Sequence, residues 1–181
     1  MLRHLPNVIT GMRLLLVPFV FLYIWRREYE FALFLGTIAS ISDVVDGYLA
    51  RRFKVESRFG AIADPIADKA LLSGSYLTFW IAREIPSWLP AIVVGRDVIM
   101  LTCAFLVWKF TSLRDFPPSV WGKLSTFVQI MTGLVILVNR SLGADIYTHR
   151  IEWWTLAFCG LVTSFSALHY SWTLYGRLRH E

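Results

Sequence analysis

The chain has 181 residues, of which 56% are hydrophobic and 17% charged, with a formal net charge of +5. Soluble domains usually carry about 25% charged residues, and a domain of this length cannot bury so large an apolar fraction. Two cysteines in apolar stretches are too few for a disulfide-stapled secreted fold, and the low charge excludes a disordered chain. We therefore predict an integral membrane protein with a single domain over residues 1–181.

Six apolar segments are each long enough to cross a bilayer, which takes roughly 20 residues of α-helix. In chain order they are Val8–Trp25, Phe31–Leu49, Phe59–Ile81, Trp88–Trp108, Trp121–Val138 and Trp153–Tyr175. We predict an all-α bundle of six transmembrane helices, preceded by a short amphipathic juxtamembrane helix within residues 1–13. The opening residues contain no small-residue cleavage site, so we expect no cleavable signal.

The distribution of basic residues predicts how these segments are oriented. Of the 18 Lys and Arg residues, eleven lie in the two terminal segments and the second and fourth loops, and five lie in the other loops. The positive-inside rule therefore predicts both termini on the cytoplasmic side of an inner membrane. We expect the positive charge to face anionic lipid, because no nucleic-acid-binding motif is present.

Four aspartates interrupt the second and third segments. Asp43 and Asp46 are three residues apart, and Asp64 and Asp68 are four apart, so each pair lies on one helix face. A charge inside a span costs at least about 2.5–3.5 kcal/mol on insertion scales. Because the two segments are joined by a short basic loop, the four carboxylates can converge near the cytoplasmic surface. Oxygen ligands of this kind predict a site for Mg²⁺ or Mn²⁺, with two ions holding one phosphoryl group.

Small and basic residues surround these acids. Gly47, Ala50 and Gly60 lack bulky side chains, so a ligand can approach the helix backbone closely. Arg51 lies four residues after Gly47 and would reach a phosphate on the same face. The pattern predicts a cation-bridged pyrophosphate between two helices, with a flat group against the small residues.

Three further basic residues are candidates for binding an anionic second substrate. Lys69 and Arg96 lie inside predicted spans, and Lys123 opens the fifth. Arg96 is followed directly by Asp97, so it either binds the second substrate or forms an internal ion pair.

The run from Asp43 to Asp68 has the form Asp-x2-Asp-Gly-x2-Ala-Arg-x8-Gly-x3-Asp-x3-Asp. At all eight fixed positions it resembles the signature of the CDP-alcohol phosphatidyltransferases. The stretches at 5–13, 95–98 and 122–129 are similar to the branch that makes phosphatidylglycerophosphate and cardiolipin. The likeness covers nearly the whole chain.

The resemblance implies a six-helix membrane enzyme that forms a homodimer. It assigns Asp43, Asp46 and Asp64 to two divalent cations, and Asp68 to the role of general base with a further contact to metal. It also implies a set of residues that bind the nucleotide-activated lipid CDP-diacylglycerol. These are Asp46, Gly47, Ala50, Arg51, Gly60, Asn7 and Thr10.

In the reaction that the resemblance implies, an alcohol attacks the lipid-side phosphorus and CMP is released. The acceptor is either phosphatidylglycerol, which gives cardiolipin, or glycerol 3-phosphate, which gives phosphatidylglycerophosphate. Three features resemble the cardiolipin-forming members of the family, and the resemblance favours phosphatidylglycerol: Arg-Asp-Val at 96–98 with no second Arg in 103–106, Pro-Pro-Ser at 117–119, and Tyr-Gly-Arg at 175–177.

Two other functions are also compatible with acidic residues inside membrane helices. A small ion or proton transporter would also carry acids inside its helices, although its polar groups should be spread along the membrane normal. An intramembrane prenyltransferase also holds a diphosphate through acids and Mg²⁺, but normally with more spans and other spacings between the acids.

Overall fold

The computed structural model describes residues 5–53, 58–110, 120–143 and 146–178, with side chains described at 11–12, 15–42, 69–103, 120–143 and 150–173. Within these residues the chain forms six α-helices and no β-strand, which confirms the all-α class. The helices are α1 (Leu5–Trp25), α2 (Tyr29–Phe53), α3 (Arg58–Ile81), α4 (Trp88–Phe110), α5 (Val120–Ser141) and α6 (Ile146–Leu178).

The starts of α1 and α6 differ from the sequence-based prediction. The separate juxtamembrane helix expected within residues 1–13 is wrong, because α1 runs without a break from Leu5 to Trp25. Pro6 lies in the first turn of α1, where proline is tolerated, and no further proline occurs before Pro18, so the first turns continue directly into the apolar segment. Helix α6 begins at Ile146, ahead of the apolar stretch, since helical backbone hydrogen bonds do not require apolar side chains.

Two helices in the described part of the chain are long and apolar enough to cross a bilayer. They span Val120–Ser141 and Arg150–Thr173. Two shorter apolar stretches, Leu15–Trp25 and Tyr29–Ser42, lie in α1 and α2. The arrangement with six spans stays a prediction, and these helices agree with it.

The chain divides into two compact units, of which the first comprises Met1–Glu84 and Leu137–Gly143. In this unit α1 packs against both α2 and α3. The ring of Phe21 on α1 occupies the space that a Cβ would fill at Gly74 on α3. Any side chain at position 74 would therefore separate the two helices.

The second unit comprises Ile85–Ile136 and Ala144–Glu181, and in it α4 packs against α6. The ring of Trp88 covers Gly160 in the same way that Phe21 covers Gly74. Cys159, which directly precedes Gly160, is buried and is not part of a disulfide. The outer surface of α6 exposes large apolar side chains, as expected for a helix that faces lipid. They include Trp154, Leu161, Leu168 and Trp172.

Helices α1 and α3 end in the same type of turn. At the end of α3, the amide of Arg83 donates to the carbonyl of Trp80 at 2.9 Å, and the amide of Glu84 donates to the carbonyl of Phe79 at 2.9 Å. This pair of backbone hydrogen bonds defines a Schellman motif, in which one residue adopts the left-handed backbone conformation. That residue is Arg83, with φ of 61°, and Arg27 takes the same role after α1, with φ of 62°. Glycine usually fills this position, because a side chain there is strained.

We expect Arg83→Gly to stabilise the protein by up to about 1 kcal/mol, since it removes the strain of a left-handed non-glycine residue at an exposed position. The melting temperature of the purified chain in detergent should rise by about 2–4 °C. The matched control is Ala82→Gly one residue earlier, where φ is negative. That change should lower the melting temperature, and a fall in both variants would contradict the strain argument.

Candidate functional site

The four predicted metal-binding acids lie on two helices of the first unit. Asp43 and Asp46 fall within α2, and Asp64 and Asp68 fall within α3. The backbone is helical at all four positions, as the interpretation of one helix face for each pair requires. Their side chains lie outside the described residues.

The residues assigned to CDP-diacylglycerol also lie in the helices of the first unit, with side chains outside the described part. They are Asn7 and Thr10 in α1, Gly47, Ala50 and Arg51 in α2, and Gly60 in α3. Among the described side chains no three His, Cys, Asp or Glu residues form a group that could hold a metal ion. Because the four signature acids are not among those side chains, the metal site stays a prediction.

Arg96 forms the internal ion pair that the sequence left as one of two alternatives. Its side chain is buried, with 7% of its surface exposed, and its Nη1 lies 2.7 Å from Oδ1 of Asp97. Its Nη2 donates to the carbonyl oxygen of Gly122 at 3.3 Å, which ties α4 to the first turn of α5. Its Nε finds no hydrogen-bond partner within the described residues, so one buried donor remains for a further group.

The other two candidate basic residues occupy different surroundings. Lys123 is exposed on α5 and directly follows Gly122, the residue that Arg96 contacts. The second unit therefore brings Arg96 and Lys123 to the same end of α5. Lys69 lies in the first unit, half-buried on α3 immediately after Asp68.

Sequence reasoning did not identify a buried polar network in the second unit, formed by Ser125, Gln129 and Thr163. The amide nitrogen Nε2 of Gln129 donates to Oγ1 of Thr163 at 3.1 Å and to Oγ of Ser125 at 3.3 Å. All three residues are fully buried. In an apolar bundle such hydrogen bonds hold helices together, here α5 and α6. The four-residue spacing of Ser125 and Gln129 was the available signal, because it places both on one face of α5.

A second cluster of polar side chains, which the sequence did not reveal, lies beside the start of α2 and the end of α3. We call Arg27, Tyr29, Glu84 and Arg140 the Glu84 cluster. The hydroxyl of Tyr29 donates to Oε1 of Glu84 at 2.6 Å, and Nε of Arg140 donates to Oε2 at 2.6 Å. Arg27 Nε lies 3.5 Å from Oε1, and its Nη2 donates to the carbonyl of Ala82 at 3.2 Å. The cluster thus joins residues more than 50 positions apart, which no local pattern could indicate.

The Glu84 cluster keeps Tyr29 in its neutral form. Burial, followed by the hydrogen bond to Glu84 and the negative charge of that residue, raises the pKa of Tyr29 well above its ordinary value. The phenol therefore stays protonated at neutral pH and donates its hydrogen bond to the carboxylate. The Glu84 side chain is only 11% exposed, and its two carboxylate oxygens accept hydrogen bonds from Tyr29 and Arg140.

Several curated proteins are similar to the chain over most of its length. A probable CMP-forming cardiolipin synthase of Drosophila melanogaster is 30% identical over 92% of this chain, and the human cardiolipin synthase is 28% identical over 92%. A CDP-diacylglycerol–glycerol-3-phosphate 3-phosphatidyltransferase of Rickettsia typhi is 31% identical over 91%. The chain spans 56% of the fly protein, 61% of the human protein and 95% of the Rickettsia protein.

The family can be stated more firmly than the acceptor, since similar identities connect the chain to relatives with two different names. A sequence model of one family, the CDP-alcohol phosphatidyltransferases, matches residues 3–164, which is most of the chain. The matched stretch contains the whole signature from Asp43 to Asp68 as well as Arg96 and Lys123. This protein therefore belongs to the CDP-alcohol phosphatidyltransferase family.

Proposed function

We propose that the protein transfers the phosphatidyl group of CDP-diacylglycerol to phosphatidylglycerol, giving cardiolipin and CMP. The observation that carries the proposal is the eight-position signature on α2 and α3, in a chain whose residues 3–164 match the family. Glycerol 3-phosphate, the substrate in the printed name of the Rickettsia relative, is the alternative acceptor.

The proposed donor site uses the four signature acids to hold two divalent cations, Mg²⁺ or Mn²⁺. Carboxylate oxygens are the ligands that these hard cations prefer, so the chemistry of the donor set fits. When bound, such ions neutralise the pyrophosphate and stabilise the leaving CMP. The proposed ligands are Asp43, Asp46, Asp64 and Asp68.

The other signature residues bind and orient the nucleotide lipid in this proposal. Gly47, Ala50 and Gly60 let the cytidine approach the helix backbones, and Arg51 contacts a phosphate. Asn7 and Thr10 on α1 complete the donor site. This arrangement is supported by the packing of α1 against both signature helices.

In the chemical step, Asp68 takes the proton of the acceptor hydroxyl. The alcohol oxygen then forms a bond to the lipid-side phosphorus as the bond from that phosphorus to the CMP oxygen breaks. An alcohol is a weak nucleophile at neutral pH, so a positioned carboxylate is needed to accept its proton. The anionic acceptor is proposed to bind Lys69, Arg96 and Lys123, with the unpartnered Nε of Arg96 as one donor.

We further propose that residues 1–181 form one membrane domain with six spans, both termini and the active site on the cytoplasmic side, and a homodimeric assembly. The distribution of basic residues supports the orientation. The two long apolar helices, Val120–Ser141 and Arg150–Thr173, support insertion in the membrane. This location lets the acyl chains stay in lipid while the cytidine stays in water.

Asp68→Asn should abolish CMP release while it largely keeps the binding of Mn²⁺ and CDP-diacylglycerol, because the amide retains the size of the side chain and one oxygen that can contact metal but cannot take up the proton. CMP release and equilibrium binding are measured on the same purified sample. Glu30→Gln, an exposed acid in the first turn of α2, is the matched control and should be fully active. Loss of bound Mn²⁺ or lipid in Asp68→Asn would contradict base catalysis as the main role of Asp68.

The acceptor is tested by incubating the purified chain with CDP-diacylglycerol, Mn²⁺ and either phosphatidylglycerol or glycerol 3-phosphate. We expect CMP release with phosphatidylglycerol, and EDTA should abolish it. CMP release with glycerol 3-phosphate alone would establish the alternative acceptor. If CMP were released with neither acceptor, the enzymatic proposal would be rejected. The transporter hypothesis, which predicts no CMP release, would then remain.

Lys123→Gln should raise the KM for the anionic acceptor by about three- to tenfold and leave the KM for CDP-diacylglycerol unchanged, because it removes one charged hydrogen-bond donor. Arg150→Gln is the matched control, since Arg150 is also exposed but lies on the predicted outer side. A rise in the KM for the lipid donor instead would assign Lys123 to the other substrate.

A further inference from the structure

We infer that the Glu84 cluster sets the axial register of α2 against α3 and so brings the two pairs of signature acids to one level. Tyr29 and Glu84 are then positioning residues for the metal site, although they lie at the far end of both helices. This inference rests on the proposed function, because the cluster can position a metal site only if the four signature acids bind metal together.

The cluster connects α2 and α3 at a single point. Tyr29 is the first residue of α2, and Glu84 follows the last residue of α3 by three positions. The 2.6 Å hydrogen bond between their side chains therefore holds the start of one helix beside the end of the other. Helix α2 leaves this end of the unit and α3 returns to it, so the two helices run antiparallel.

The position of each acid along its helix follows from the rise of 1.5 Å per residue. Asp43 and Asp46 lie 14 and 17 residues beyond Tyr29, or about 21 and 26 Å along α2. Asp68 and Asp64 lie 13 and 17 residues before Ile81, or about 20 and 26 Å back along α3. If the first residue of α2 lies level with the last residue of α3, Asp46 is level with Asp64, and Asp43 and Asp68 are offset by one residue, or about 1.5 Å.

The proposed metal site depends on this register. A slip of α3 by one residue moves its acids by about 1.5 Å, whereas metal–ligand distances vary by only about 0.2 Å. Interdigitated apolar side chains restrict the register, and a hydrogen bond adds a directional contact that disfavours neighbouring registers. The hydrogen bond from Tyr29 is the directional contact that the described residues place between these two helix ends.

The carboxylate of Glu84 is itself held firmly enough for this role. Its backbone lies in the Schellman turn that ends α3, with its amide bonded to the carbonyl of Phe79. Arg140 holds the side chain through Oε2 at 2.6 Å and also donates from Nη2 to the backbone carbonyl of Glu84 at 3.3 Å. Both the backbone and the side chain of Glu84 are thereby fixed, and the position of Tyr29 is fixed by them.

The test is Mn²⁺ binding by the purified full chain in detergent, measured by electron paramagnetic resonance, with thermal unfolding measured in parallel. Tyr29→Phe removes only the hydroxyl and should weaken Mn²⁺ binding by about three- to tenfold, which corresponds to the free energy of one hydrogen bond. The matched control is Tyr23→Phe. Tyr23 stacks on Phe31 with ring centroids 5.4 Å apart, and this contact does not use its hydroxyl, so the control should bind Mn²⁺ as the parent does.

A merely structural role would lower the melting temperature of Tyr29→Phe without changing Mn²⁺ affinity below that temperature, and this result would overturn the inference. In a double-mutant cycle, Tyr29→Phe should cause no further loss of Mn²⁺ affinity once Glu84→Ala is present. Fully additive losses would overturn it as well. If the parent chain itself neither bound Mn²⁺ nor released CMP, the proposed function would fail first, and that outcome is distinct from unchanged affinity in the variants.

Discussion

The cost of placing charge among apolar helices governs the features of this protein that matter for function. In the described residues the cost is met by pairing opposite charges. Arg96 is buried against Asp97, and Glu84 accepts hydrogen bonds from Tyr29 and Arg140. The same requirement applies to the four signature acids, for which the proposed divalent cations supply the opposite charge. Charge pairing therefore links the folding of the bundle to its proposed chemistry.

The helix ends show how local backbone structure serves these pairs. Arg27 and Arg83 adopt the left-handed conformation that closes α1 and α3, at some cost in strain. The turn at Arg83 presents Glu84 to the cluster, and the turn at Arg27 brings that arginine close to the same carboxylate. The turn at Arg27 joins α1 directly to α2, and Arg27 contacts the carbonyl of Ala82 in the turn that ends α3.

The relatives show why the family is clearer than the acceptor. Proteins named for cardiolipin synthesis and for transfer to glycerol 3-phosphate match the chain at 28–31% identity. The signature acids and small residues face the donor lipid in our proposal, and that donor would be common to both reactions. The choice of acceptor would then depend on residues outside the signature, such as Arg96 and Lys123. Arg96 forms an ion pair with Asp97, whereas Lys123 is an exposed positive charge at that end of α5.

The sequence by itself determined the helical class, the approximate helix positions and the family, because apolar segment length and a dense local signature are properties of consecutive residues. It also placed each acid pair on one helix face, since three- and four-residue spacing determines the face. Tertiary structure decided the Glu84 cluster and the ion pair at Arg96. Glu84 meets Tyr29 and Arg140 across 55 and 56 positions, and only packing brings such distant residues together. Whether Arg96 turns to Asp97 or to a ligand likewise depends on the burial of its side chain between α4 and α5, which the order of residues does not specify.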